Sequence, residues 1–299
     1  MIFLHIGGVL RHFPDYIPLL FSLKSKYKFL RFIGYDSFKD LQQSGGRINY
    51  FASDYDIEKL ELLRKTNLFD SFNIQLGNFY YIKEEIDLIK QRLTDILLFF
   101  DKVYVTLSNE YLLSKLKQFF GNNIVAICSI TRVQLSSIEC DRKDSLMYKR
   151  LEKIFDLIVP RCEHVFQENF IKSVNLNKYI IMINDTCKYA CPYWKSHFKV
   201  YHKLNVSHKW KLFNKQQIYK FHECWLKDFN PYEENHQERC IYGDKYGMDL
   251  TAKQIKELIE HGVKHFKISG RELTSSRFTQ ELKDQLQKFE TAFQTTRRS

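Results

Sequence analysis

Cys187 and Cys191 stand four positions apart in the run Cys-Lys-Tyr-Ala-Cys-Pro. At that spacing two thiolates can reach one metal ion or cluster from a single turn. Cys224 and Cys240 follow in the same irregular stretch. Together they make the four thiolates that a [4Fe–4S] cluster or a structural zinc site takes, and ligand number alone does not separate the two. Cys162 is a second candidate for the fourth ligand, Cys128 in its apolar run reads as a buried inert thiol, and Cys140 reads as a bystander. Trp194 stands where a Cys-x3-Cys-x2-Cys pattern would place its third sulfur, which argues against radical-SAM chemistry.

The cysteines sit in a basic, aromatic surrounding. From Thr186 to His222 there is no Asp or Glu, while lysines, histidines and aromatic residues such as Tyr193, Trp194 and Trp210 alternate. Lysines neutralise phosphates and aromatic rings stack on bases, so RNA or a small anionic molecule is the expected partner. A solvated basic face over an aromatic layer has the same composition. His197, six residues past Cys191, is the candidate proton-transfer group. Arg47 in Gly45-Gly46-Arg47 and Arg271 in Gly270-Arg271-Glu272 are candidate anion-holding residues. There is no phosphate-binding P-loop, no Gly-x-Gly-x-x-Gly, no Gly-x-Ser-x-Gly and no His-Glu-x-x-His.

Eight short apolar runs must position these groups: 2–6, 29–34, 72–76, 103–107, 124–128, 157–159, 179–183 and 265–269. Amphipathic helical patterns alternate with them at 15–27, 54–65, 83–99, through Leu112, Leu116 and Phe119, at 143–155, 164–173, 251–261 and from Ser275 to about Phe293. Strands alternating with helices imply parallel pairing through right-handed crossovers. The expectation is a single α/β domain over 1–299, a (β/α)8 TIM-like barrel, with an irregular insert over 186–250 between strands seven and eight. A doubly wound open sheet is the alternative. Reaction sites of such barrels lie at the C-terminal strand ends, where Asn109 follows strand four and Asn184 follows strand seven, both candidates for holding substrate.

The net charge is +11 over 299 residues, which excludes an acidic solvating chain and favours anionic partners. Only 11 glycines and 5 prolines exclude collagen-like or linker-rich architectures. Seven cysteines are too sparse for a disulfide scaffold. No segment reaches the roughly 18 apolar residues of a membrane span, and no signal peptide is read, so the expected location is cytoplasmic.

The segment from Ile183-Asn184-Asp185-Thr186-Cys187 through Cys191-Pro192-Tyr193, with His197-Phe198, resembles a signature of the collagenase-like peptidase family, peptidase family U thirty-two. Ser44-Gly45-Gly46-Arg47, Val105-Thr106-Leu107-Ser108-Asn109 and Phe266-Lys267-Ile268-Ser269-Gly270-Arg271 resemble further pieces of it, in order along nearly the whole chain. The resemblance implies a TIM-like barrel, a [4Fe–4S] cluster on four cysteines, and oxygen-independent hydroxylation of a ubiquinone precursor or an RNA base. Many members work with a partner of similar fold. The Glu and Gly-rich stretch of the peptidase-type signature are missing, which argues against proteolysis.

The leading expectation is therefore an iron–sulfur barrel enzyme, oxidoreductase or hydroxylase-like. Its rivals are a metal-dependent peptidase, with Asp185 or Glu223 as base, and a non-enzymatic RNA- or partner-binding protein with structural zinc.

Overall fold

The structure, a computed structural model, describes residues 1–41, 52–77, 85–132, 142–161, 164–185, 248–269 and 274–296. The apolar runs form strands β1 (Ile2–Gly7), β2 (Leu30–Asp36), β3 (Phe69–Leu76), β4 (Val103–Leu107), β5 (Ile124–Cys128), β6 (Leu157–Ile158) and β7 (Ile180–Met182). Two short strands, β8 (Asn184–Asp185) and β9 (Met248–Asp249), come next, and β10 (His265–Ile268) is the eighth barrel strand. The helices are α1 (Ile17–Lys26), α2 (Ile57–Lys65), α3 (Ile86–Leu97), α4 (Glu110–Phe120), α5 (Arg142–Ile154), α6 (Glu168–Ser173), α7 (Ala252–Glu260) and α8 (Ser275–Thr296). Among the described residues no helix is long and apolar enough to cross a membrane.

The eight-stranded sheet runs β6-β5-β4-β3-β2-β1-β10-β7, with every pair parallel. A parallel bridge between Ile158 and Tyr179 brings its two edges, β6 and β7, together. The sheet is thus a nearly closed (β/α)8 barrel rather than an open doubly wound sheet. Parallel strands need crossover connections, and α1 to α7 each lie on one, while α8 follows the last strand.

Local signals fix where the helices start. The Asp56 carboxylate accepts from the Lys59 amide at the head of α2, Asn109 accepts from the Tyr111 and Leu112 amides at the head of α4, and Thr251 and Gln254 form a capping box on α7. Gly121 ends α4 at φ 57°, a left-handed conformation that favours glycine.

Alternation along each strand separates two environments. Leu4, Ile6, Phe32, Phe72, Ile74, Val103, Val105, Ala126, Ile181 and Phe266 belong to the large apolar layer that also holds Leu20, Leu60, Leu93, Leu116 and Phe289 of the helices. The alternate residues face the barrel interior, which is divided. Ile127, Leu157, Val159, Ile180 and Met182 form a separate apolar cluster on the β5, β6 and β7 side. The β10, β1, β3 and β4 side carries His265, Lys267, His5, Asn73, Gln75 and Thr106 instead.

The ladder of β8 with β9 pairs Asn184 with Asp249 and Asp185 with Met248, antiparallel. It joins the two ends of the 186–247 segment directly beyond β7.

Candidate active site at the C-terminal mouth of the barrel

β1 and β10 lie side by side with His5 opposite Lys267 and Phe3 opposite His265. Paired residues of parallel strands project to the same side, so on one wall of the interior His265 stands level with Phe3 nearer the N-terminal end, and His5 level with Lys267 nearer the mouth. Lys267 is half-buried, and His5 is fully buried.

Two neutral groups of the described residues meet the Lys267 ammonium. Its Nζ lies 3.5 Å from Gln75 Oε1 and 4.2 Å from the centre of the Tyr35 ring. The Gln75 amide donates to Thr106 Oγ1 at 3.0 Å, and the Thr106 hydroxyl donates to Asn73 Oδ1 at 3.0 Å. That direction leaves the Gln75 carbonyl turned towards Lys267, where it favours the charged ammonium. The π face of Tyr35 does the same, a contact of about 0.5–2 kcal/mol. Tyr35 crosses the interior because Gly7 leaves room: a Cβ on Gly7 would sit 2.4 Å from the Tyr35 ring. The Tyr35 hydroxyl is anchored on the Ile268 carbonyl at 3.1 Å.

The two histidines are joined, His5 Nε2 to His265 Nδ1 at 3.1 Å. Phe3 stacks on His265 at 4.6 Å, and the Tyr104 ring meets His5 edge-on at 5.7 Å. Burial, then His265 and Lys267, push the His5 imidazole well below its ordinary range. Burial, then Lys264, push His265 down to about 4. Both rings are therefore neutral at pH 7. Burial, then Asp70, raises the Tyr104 phenol to about 12.

Asn184 and Asn109 are the expected site residues that fall within the described segments. Asn184 is nearly fully buried. Its Nδ2 donates to the Ser269 carbonyl at 2.8 Å and to Glu281 Oε1 at 2.7 Å, and its Oδ1 accepts from the Ser269 amide at 2.7 Å. It thus ties the start of β8 to the end of β10 and to α8. Nearby, Gln285 and Lys288 of α8 reach the Asp249 carboxylate at 2.8 and 2.6 Å. The Asn109 side-chain oxygen caps α4 by accepting from the Tyr111 and Leu112 amides, each at 3.0 Å.

Arg47, His197, Arg271, Cys187, Cys191, Cys224 and Cys240 lie outside the described residues, as do Cys140 and Cys162. Cys128 is buried as expected, and burial raises its thiol far above the range in which a thiolate ligand forms. Among the described residues no group of three or more His, Cys, Asp or Glu side chains could hold a metal ion.

Lys267, Gln75, Thr106, Asn73 and His5 are the groups that the reading of strand ends missed. A signal for them exists: each strand carries a polar residue between apolar ones, as in Leu4-His5-Ile6, Ile74-Gln75-Leu76, Val105-Thr106-Leu107 and Phe266-Lys267-Ile268. In a barrel the middle residue of such a triplet faces inward.

No family model matches the chain, and no curated protein matches it. A solved structure, a cube-shaped, highly porous protein cage designed by fusing symmetric oligomeric domains, aligns over 100% of this chain and 75% of its own at 7% identity and TM-score 0.41. That likeness is too slight to bear on function. The similarity to collagenase-like peptidases rests on the quoted segments alone.

Proposed function

We propose that this chain is an enzyme that takes an anionic substrate at the C-terminal mouth of its barrel, with Lys267 receiving the negative charge. The observation that carries the reading is the half-buried Lys267 ammonium in the barrel interior, 3.5 Å from the Gln75 carbonyl oxygen and 4.2 Å from the centre of the Tyr35 ring. A half-buried cation aimed where such barrels do their chemistry attracts an anion strongly, because the surrounding dielectric is low.

The reaction class is the one that the resemblance to the collagenase-like peptidase family implies: an oxygen-independent redox or hydroxylation-type step, on an RNA base or a biosynthetic intermediate. Cys187, Cys191, Cys224 and Cys240 are the proposed ligands of a [4Fe–4S] cluster, which would supply one-electron transfer. The antiparallel pairing of Asn184–Asp185 with Met248–Asp249 supports this placement, since it anchors both ends of the cysteine-bearing segment at the mouth. His197 is the proposed proton-transfer group, and Arg47 and Arg271 are proposed to share the substrate's charge.

Anaerobic purification followed by iron, sulfide and zinc counts per chain tests the redox class. About four irons and four sulfides on a brown protein are expected, and Cys187→Ala should abolish them. A colourless protein with about one zinc per chain would replace the redox reading by a structural-metal one.

A further inference from the structure

We infer that Gln75 is a second anion-holding group: when an oxyanion meets Lys267, the Gln75 amide turns over and donates an N–H to the same oxygen. The inference rests on the reading of Lys267 as the anion's cationic partner, and it names the ligand class as a carboxylate or phosphate.

A chain of three side chains makes the turn possible. The Gln75 amide nitrogen donates to Thr106 Oγ1 at 3.0 Å, and the Thr106 hydroxyl donates to Asn73 Oδ1 at 3.0 Å. The Gln75 carbonyl oxygen is thereby left 3.5 Å from Lys267 Nζ. All three side chains are nearly fully buried, so each depends on the others for its bonds. Among the described residues no further hydrogen bond pins the Asn73 or the Gln75 amide.

An amide carries a donor and an acceptor, and a hydroxyl is both at once. The chain therefore has a second polarity with the same two bonds. In it Asn73 Nδ2 donates to Thr106 Oγ1, the Thr106 hydroxyl donates to Gln75 Oε1, and the Gln75 amide nitrogen faces Lys267. The ammonium selects the first polarity, because it has donors only and takes the carbonyl. An oxyanion accepts only, so it inverts the preference. The turn puts Gln75 Nε2 where the carbonyl oxygen stood, 3.5 Å from Lys267 Nζ. Two donors that far apart can each reach one oxygen at about 2.9 Å. Thr106 and Asn73 are positioning residues: they hold the Gln75 amide in either orientation at no loss of bonds.

The test is a calorimetric titration of the full chain with inorganic phosphate and with acetate, on the wild type, Lys267→Met and Gln75→Met. Methionine keeps the length of glutamine and removes its amide. If Gln75 only accepts from the ammonium, its loss removes a competitor for the anion, and affinity stays level or rises. The inference predicts the opposite: Gln75→Met binds at least one of the two anions about tenfold or more weakly than the wild type. Wild-type or tighter affinity for both anions in Gln75→Met, with a loss in Lys267→Met, overturns the inference and leaves Lys267 as an anion site. Equal affinities in the wild type and Lys267→Met overturn both. Side-chain amide signals of nitrogen-15-labelled protein supply a readout that does not depend on Gln75→Met folding. Adding the anion that binds should shift the wild-type Gln75 and Asn73 amides together, although Asn73 lies two hydrogen bonds further along the chain. Thr106→Val should abolish the Asn73 response, and Thr106→Ser should keep it. An Asn73 signal that stays fixed in the wild type while the anion binds overturns the reversal.

Discussion

Polar groups inside this barrel bond to other side chains and to strand backbone groups, so single substitutions there have sharp consequences. Asn184 satisfies both backbone groups of Ser269 and reaches Glu281. Asn184→Ala should cost about 1–3 kcal/mol in chemical denaturation, since it strands buried partners. Asn184→Asp should also destabilise, because the carboxylate presents an acceptor where the Ser269 carbonyl and Glu281 need a donor. The histidine pair gives the protein an acid sensitivity. His265 binds its proton at about 4 when folded, against an ordinary value of 6.5 when unfolded. Between those values the unfolded chain holds the extra proton, so stability falls as pH drops through that window, by about 3 kcal/mol from this residue. His5 is shifted in the same direction and adds to the fall. Denaturation midpoints measured from pH 7 to 4 should show this slope, and His265→Gln should flatten it.

At the scale of elements, the periodicity of the chain carried most of the architecture. VYVTL and IVAIC are strands at 103–107 and 124–128, as their β-branched runs require, and the helical patterns 143–155 and 251–261 match α5 and α7 within a residue or two at each end. The pairing of β8 with β9 was not legible, because two-residue strands separated by the whole 186–247 segment leave no local pattern. The interior network was legible only in part: the strands announce themselves by their apolar residues, which pack outward on the helices, while the polar residue between them looks like any surface residue until closure turns it inward. Asn109 shows a related limit. Its place after β4 suits a substrate contact, yet the same position is the head of α4, and its side-chain oxygen is occupied there. Asn109→Ala should lower stability by about 1 kcal/mol, and Asn109→Ser should restore it. If the Ser variant folds normally but loses substrate binding, the asparagine holds substrate through its amide nitrogen as well.

At the scale of the whole molecule, the barrel and the cysteine-bearing segment are separable in principle. Both ends of 186–247 are paired in one antiparallel ladder, so a tight two-residue turn joining Asp185 to Met248 can replace the segment without moving the strands. If the proposed reading holds, such a shortened chain should keep a cooperative melt and the proposed anion binding at Lys267 but bind no iron. A chain that fails to fold would show that the segment also contributes to the core. The net charge of +11 draws anions to the whole surface, so binding at the mouth must be separated from general attraction. The most direct measurement is a calorimetric titration of the folded protein at physiological salt with transfer RNA, a mononucleotide and small mono- and dicarboxylates. The same panel would be run on Lys267→Met and on Lys172→Met, an exposed lysine paired with Glu168 on α6. The account predicts that at least one of these anions binds tenfold or more weakly to Lys267→Met and equally well to Lys172→Met. Equal losses in the two variants, or none in either, would contradict it.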